Sequence, residues 1–158
     1  MSIRVSAATG PDDIAAARTL FLEYAESLDF NLCFQGFDAE MARFPGEYAP
    51  PGGTLLLARD GDAVVGCVAL RPAPDGFGEM KRLYLRPAAR GTGAGRALAV
   101  AVIEVARALG KKGVLLDTAT SMVAAASLYR DLGFRQVDGP PGGAGEPELL
   151  YFRLEFPG

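Results

Sequence analysis

Leu83-Tyr84-Leu85-Arg86-Pro87-Ala88-Ala89-Arg90-Gly91-Thr92-Gly93-Ala94-Gly95-Arg96 is the stretch on which the reading of this sequence turns. An apolar strand ends at Leu85, and a helix begins just beyond the last glycine. Three glycines at a helix entrance let the backbone turn tightly and approach a ligand, while free N–H groups and the helix dipole attract phosphate. Two nucleotide-binding patterns compete for these glycines. A P-loop requires GxxxxGK followed by Ser or Thr, and no such string occurs. A dinucleotide fingerprint is closer, and Asp117 at the end of the next strand imitates its ribose-binding acid. It fails because Arg96 occupies the third glycine position, the spacer from Arg86 to Arg90 is long for a tight βα turn, and one crossover alone follows.

Upstream of the loop, a short strand at Ile3 and Val5 precedes Ile14, Ala17, Phe21, Tyr24 and Leu28, which recur at helical spacing. Thr9 or Asp12 is the expected cap, beside Pro11. From Phe30 to Gly53 the pattern breaks into aromatics, Pro and Gly, an irregular and partly helical excursion of a length that often carries function. Thr54 to Ala58 and Ala63 to Leu70 are apolar runs joined by Arg59-Asp60-Gly61-Asp62, a hairpin signal, and Phe77 to Leu85 adds a third strand to the meander.

Downstream, Ala97, Leu98, Ala101, Val102, Val105 and Leu109 make a helix that Gly110 should stop, and Val114 to Asp117 read as a buried strand. Ser121 is placed to cap a helix carrying Ala124, Ala125, Leu128, Tyr129 and Leu132, ended by Gly133. Phe134 to Val137 and Glu148 to Phe156 close the chain around a Gly/Pro loop. The expected fold is a single mixed α/β (α+β) domain over residues 1–158, without internal repeats.

Composition removes whole classes of chemistry. The 158 residues are 49% hydrophobic, enough for one sizeable core and no second domain. There is no histidine, which excludes Ser-His-Asp and Cys-His catalysis and most zinc sites, so no metal is expected. Cys33 and Cys67 lack CxxC spacing and read as reduced, buried hydrophobes. The net charge of −3, with no basic run, gives no nucleic-acid footprint. No segment approaches a membrane span, so neither a membrane partner nor a site outside the cytoplasm is expected.

Arg90-x-x-Gly93-x-Gly95 resembles the acyl-CoA signature, Arg or Gln-x-x-Gly-x-Gly or Ala, of the GNAT superfamily of N-acetyltransferases. Ala125-Ser127-Leu128-Tyr129-Arg130-Asp131-Leu132-Gly133-Phe134 resembles its later helix, where A-x-x-LY runs into Gly-Phe. Glu79 to Pro87 resembles the strand before the signature, and the element order matches from Ile3 to Phe156. The resemblance implies a mostly antiparallel sheet of about seven strands with about four helices, split between the fourth and fifth strands. It implies acetyl-CoA as co-substrate and an amine acceptor, a small molecule or a peptide. Pantetheine would lie along Leu83, Tyr84 and Leu85, flanked by Ala125 and Leu128, with its pyrophosphate on Arg90, Gly91, Thr92, Gly93, Ala94, Gly95 and Arg96.

Tyr129 falls where the resemblance places the general acid, and the resemblance implies that it also touches the coenzyme. A phenol with a pKa of about 10 can protonate a departing thiolate whose thiol has a pKa of about 8.5. The competing reading is a core aromatic with a satisfied hydroxyl. Glu79 stands eleven positions before Arg90, where some members carry a base; otherwise it is a strand carboxylate neutralised by Lys81 or Arg82. Met122 occupies a position, seven before the tyrosine, where many members have Asn, which leaves acyl-chain preference open. Tyr24 and Phe34, from the first helix and the excursion, are the substrate-facing candidates, and that excursion could equally form a homodimer contact or core under a long loop. Outside transferase activity, the alternatives are a non-catalytic acyl-CoA-binding module and a truncated dinucleotide-binding domain.

Overall fold

The computed structural model describes residues 2–158, apart from the side chains of Cys33 and Phe34. Among the described residues, seven strands and four α-helices run in the order β1 (Ile3–Ala7), α1 (Gly10–Ser27), α2 (Phe37–Ala42), β2 (Thr54–Asp60), β3 (Ala63–Pro72), β4 (Gly78–Leu85), α3 (Ala94–Ala108), β5 (Gly113–Ala119), α4 (Val123–Asp131), β6 (Arg135–Val137) and β7 (Leu149–Glu155). The excursion is a pair of 3₁₀ turns, Leu32–Gln35 and Gly46–Tyr48, on either side of α2.

One sheet in the order β1-β2-β3-β4-β5-β7-β6 joins these elements, antiparallel except between β4 and β5. The apolar runs of β2 and β3 lack polar alternation because both faces of the sheet are covered. Leu56, Ala58, Val68 and Leu70 pack with Leu98 and Val102 of α3. Leu55, Leu57, Cys67 and Ala69 face α1 and the excursion through Leu20, Phe21, Met41 and Tyr48. Cys67 is a buried free thiol, as its isolation in the sequence implied; the corresponding reading of Cys33 lies outside the described residues.

Helix ends explain two of the motif glycines. Gly110 (φ +76°) and Gly133 (φ +99°) take the left-handed conformation one residue beyond the C-caps of α3 and α4, Leu109 and Leu132. After α4, the Gly133 N–H donates to the Arg130 carbonyl (3.1 Å) and the Phe134 N–H to the Tyr129 carbonyl (3.0 Å), the paired closure of a Schellman motif. Gly133-Phe134 therefore fixes the turn of helix that carries Tyr129. Thr9, one of the two expected caps, stands at the N-cap of α1 without a side-chain bond, whereas the cap of α4 differs from expectation. Asp13, not Asp12, accepts the Thr9 N–H (2.9 Å), and α4 is capped in position by Met122 with no side-chain bond, leaving Ser121 outside that role.

The split in the sheet has a local cause. Cys67 pairs with Tyr84 and Ala69 with Lys81, so Val68 alone opposes both Arg82 and Leu83. This extra residue is a β-bulge, and Arg82 adopts φ +60°, a conformation that costs a non-glycine residue free energy. The Cys67 thiol donates to the Arg82 carbonyl (3.4 Å) inside the bulge. β4 meets β5 only at Gly78–Val114 and Glu79–Leu115, after which the two strands part.

Candidate active site

The bulge determines which side chains enter the split. In a regular strand alternate residues share a face, yet Met80, Lys81, Arg82 and Leu83 all line one cavity of about 130 Å³. Across from them stand Asp117, Thr118 and Ala119 of β5, Met122 at the cap of α4, and Ala125 and Tyr129 of α4. Tyr24, Leu32 and Gln35 close it from the α1 side.

A buried polar network forms its wall. Glu40 grips Arg82 with both oxygens (2.9 and 3.2 Å), which offsets the cost of the left-handed backbone there, and Tyr48 donates its hydroxyl to the same carboxylate (3.0 Å). Gln35 joins cation to anion: its Oε1 accepts from Arg82 (2.6 Å) and from Lys81 (3.1 Å), and its Nε2 donates to Asp117 (3.2 Å). The neighbours on each side fix the orientation of that amide. Burial, followed by the adjacent Arg82 charge, pushes the Lys81 ammonium below the ordinary lysine range.

Tyr129 is 5% exposed. Its ring lies edge-on to Phe134 (centroids 5.8 Å apart) and tilted against Phe152 (6.0 Å). The hydroxyl makes no hydrogen bond among the described residues, none of which holds a sealed, unsatisfied polar side-chain atom. Burial, then Tyr24 and Asp117, raise the phenol well above its ordinary pKa, so it stays protonated at neutral pH.

A second groove of about 270 Å³, mostly apolar, runs from α3 to this cavity. Leu83, Tyr84, Leu85, Arg90, Gly95, Ala125 and Leu128 line it, and Tyr24, Leu83, Met122 and Ala125 belong to both spaces. A Cβ built on Gly95 would meet only Leu85 (3.5 Å) and Leu128 (4.0 Å), ordinary contacts, so nothing in the protein itself requires glycine there. Gly91 (φ +76°) and Gly93 (φ +87°), by contrast, hold left-handed turns. The first N–H groups of α3 have no intrahelical acceptor; the Ala94 N–H meets Thr92 Oγ1 (3.4 Å).

Of the residues singled out in the sequence, the groove and cavity collect Tyr24, Leu83, Tyr84, Leu85, Arg90, Gly95, Ala125, Leu128 and Tyr129. Gly91, Thr92, Gly93, Ala94 and Arg96 stand at the head of α3 beside the groove. Arg90 Nε donates to the Leu85 carbonyl (3.2 Å), and Arg96 pairs with Asp131 (2.6 Å) to tie α3 to α4. Glu79 lines neither space and pairs with Arg71 (2.8 Å), neither Lys81 nor Arg82 being its partner. Phe34, the second substrate-facing candidate, lies outside the described residues.

Sequence reading passed over Gln35, Glu40, Lys81 and Arg82 as site residues and met Asp117 only as a false ribose acid. A signal existed for two of them: consecutive cations between Met80 and Leu83 put one charge on each face of a strand whose neighbours are apolar.

A mostly antiparallel sheet, opened at its parallel pair beside a glycine-headed helix, is a fold shared with solved acetyltransferases. The chain belongs to the Acetyltransferase (GNAT) family, whose model matches residues 17–134, and it is an N-acetyltransferase. It is 36% identical over 157 residues to an uncharacterized N-acetyltransferase of Schizosaccharomyces pombe, covering 98% of this chain and 96% of the relative. A Streptococcus agalactiae acetyltransferase superposes with TM-score 0.76 at 19% identity over 98% of each chain. A putative acetyltransferase from Salmonella typhimurium, solved with its cofactor acetyl-CoA, gives TM-score 0.73 at 19% identity, covering 98% of this chain and 94% of that one. Among the described residues no helix is long and apolar enough to cross a membrane.

Proposed function

We propose that this N-acetyltransferase carries acetyl from acetyl-CoA to a primary amine by direct attack in a ternary complex, with Tyr129 as the proton donor. The observation that carries the proposal is the Tyr129 hydroxyl, without a described hydrogen-bond partner in the cavity that shares Tyr24, Leu83, Met122 and Ala125 with the groove. The groove suits the coenzyme. Gly95 leaves room that a Cβ would take, and the part of β4 beyond Glu79 has no β5 partner, so its edge is available for strand-like pairing with pantetheine amides. The N–H groups at the head of α3 suit the pyrophosphate.

Bound acetyl-CoA supplies an activated acyl carbonyl and a thiolate leaving group. In the transfer a C–N bond forms and a C–S bond breaks; the phenol of Tyr129 gives its proton to the departing sulfur, and the amine gives up one of its own. Asp117 is the carboxylate that lines the cavity, and we assign it as the acceptor of the amine proton, directly or through water. Glu79, turned toward Arg71, is the alternative base.

The test is an amine panel followed by free-thiol release from acetyl-CoA, with CoA binding measured in parallel. Acetyl transfer to at least one amine class, lost in Tyr129→Phe while CoA still binds, is the expected result. CoA binding with no thiol release from any amine would replace this reading with a non-catalytic acyl-CoA module, and stabilisation by NAD but not CoA would overturn both.

A further inference from the structure

The cavity contains a buried lysine whose ammonium touches no carboxylate, Asp117 and Glu79 acting on it from beyond ion-pair distance. Lys81 is 6% exposed and lines the cavity wall. Its ammonium has one hydrogen bond, to the neutral amide oxygen of Gln35, and forms no ion pair within 4.0 Å among the described residues. Every carboxylate nearby is otherwise engaged: Glu40 holds Arg82, Glu79 holds Arg71, and Asp117 takes the Gln35 amide. Buried charges are ordinarily paired, and an ammonium has three protons to give. Lys81 lines the cavity that the proposed function gives to the acceptor. Asp117 lines the same space, so Gln35 separates a cationic point from an anionic one.

We infer that the acceptor is a small amino carboxylate, its carboxylate held by Lys81 and its amino group delivered beside Asp117, below Tyr129. This rests on the acetyltransferase reading and narrows it. A polyamine would bring a second cation to Lys81. The side chain of a protein lysine has no carboxylate to offer, and the cavity of about 130 Å³ suits a compact ligand. Lys81 acts here as a specificity residue: it meets a part of the acceptor that does not react.

The experiment compares free amino acids with their amides and with the corresponding decarboxylated amines. Binding to the CoA-loaded protein is measured by calorimetry, and kcat/KM by thiol release. Wild type should prefer the amino acid by at least about tenfold in both readouts, the scale of one charge-assisted hydrogen bond. Lys81→Met, which keeps a similar apolar stem, should erase that preference by weakening the amino acid and sparing the amine. Equal or better binding of the decarboxylated amine to wild type overturns the inference, as does an unchanged preference in Lys81→Met. Because the calorimetric arm requires no turnover, a wrong acceptor class is distinguishable from a protein that transfers no acetyl group at all.

Discussion

Replacing Tyr129 with Phe removes one oxygen from a side chain whose ring and whose hydroxyl have separate surroundings. The ring keeps its edge-on contact with Phe134 and its tilted contact with Phe152, and the Phe134 N–H still closes the helix on the residue 129 carbonyl. No described hydrogen bond is lost with the hydroxyl. Folding stability should therefore change by no more than about 0.5 kcal/mol, the range of substitutions that disturb no packing or bonded group. Catalysis should respond quite differently, with kcat falling about 10²–10⁴-fold, equivalent to about 3–5 kcal/mol of barrier, if thiolate protonation limits turnover. The assays are thermal unfolding, calorimetric CoA affinity and steady-state thiol release on one preparation. Because burial raises the phenol pKa, wild type should show no loss of this acid between pH 6 and 9. The same raised pKa makes its contribution to stability complete below pH about 10 and lost at higher pH, and Tyr129→Phe should flatten that alkaline decline. An unaltered kcat, or a stability loss above about 1.5 kcal/mol, would refute the reasoning and return Tyr129 to a packing role.

Four further substitutions separate fold from function. Gly95→Ala should leave stability equal or raise it by up to about 1 kcal/mol, since its Cβ meets only ordinary contacts in the first turn of α3, while CoA affinity falls; unchanged affinity would remove Gly95 from the groove's function. Asp117→Asn should depress kcat/KM near neutrality with partial recovery at high pH, where more acceptor is already neutral, whereas Glu79→Gln should lose about 1 kcal/mol of stability with the Arg71 pair and keep the wild-type profile; the reverse pattern across pH 6–9 would exchange their roles. Lys81→Met should stabilise the ligand-free protein at pH 7. The folded ammonium has a lowered pKa, so wild type regains stability as pH rises through that value toward about 10.5, and the advantage of the variant should narrow over the same window; urea melts at pH 7 and 10 measure it.

What the sequence carried by itself is whatever arises between near neighbours in the chain. Gly110 and Gly133 stop helices through bonds to carbonyls three to five residues back, so the position of Tyr129 relative to Gly133-Phe134 was legible as a motif. The Asp60-Gly61 hairpin, the meander and the glycine entrance to α3 are local in the same sense, and they sufficed for the order of elements and for one wall of the groove. The tertiary structure decided the contacts that join distant segments. Gln35 and Asp117 are 82 positions apart, and no pattern in the letters predicts their meeting. Glu79 looked able to pair with Lys81 or Arg82, but residues two apart along a strand stand roughly 7 Å from each other, while Arg71 is its direct cross-strand neighbour in the β3–β4 register. That register depends on a single extra residue at the bulge. An arginine at φ +60° carries no sequence signal, because its strain is offset by Glu40 and Gln35, contributed by a segment more than forty residues away. Register and bulge are properties of paired strands, and so the polar wall of the acceptor cavity emerged only when the sheet was assembled.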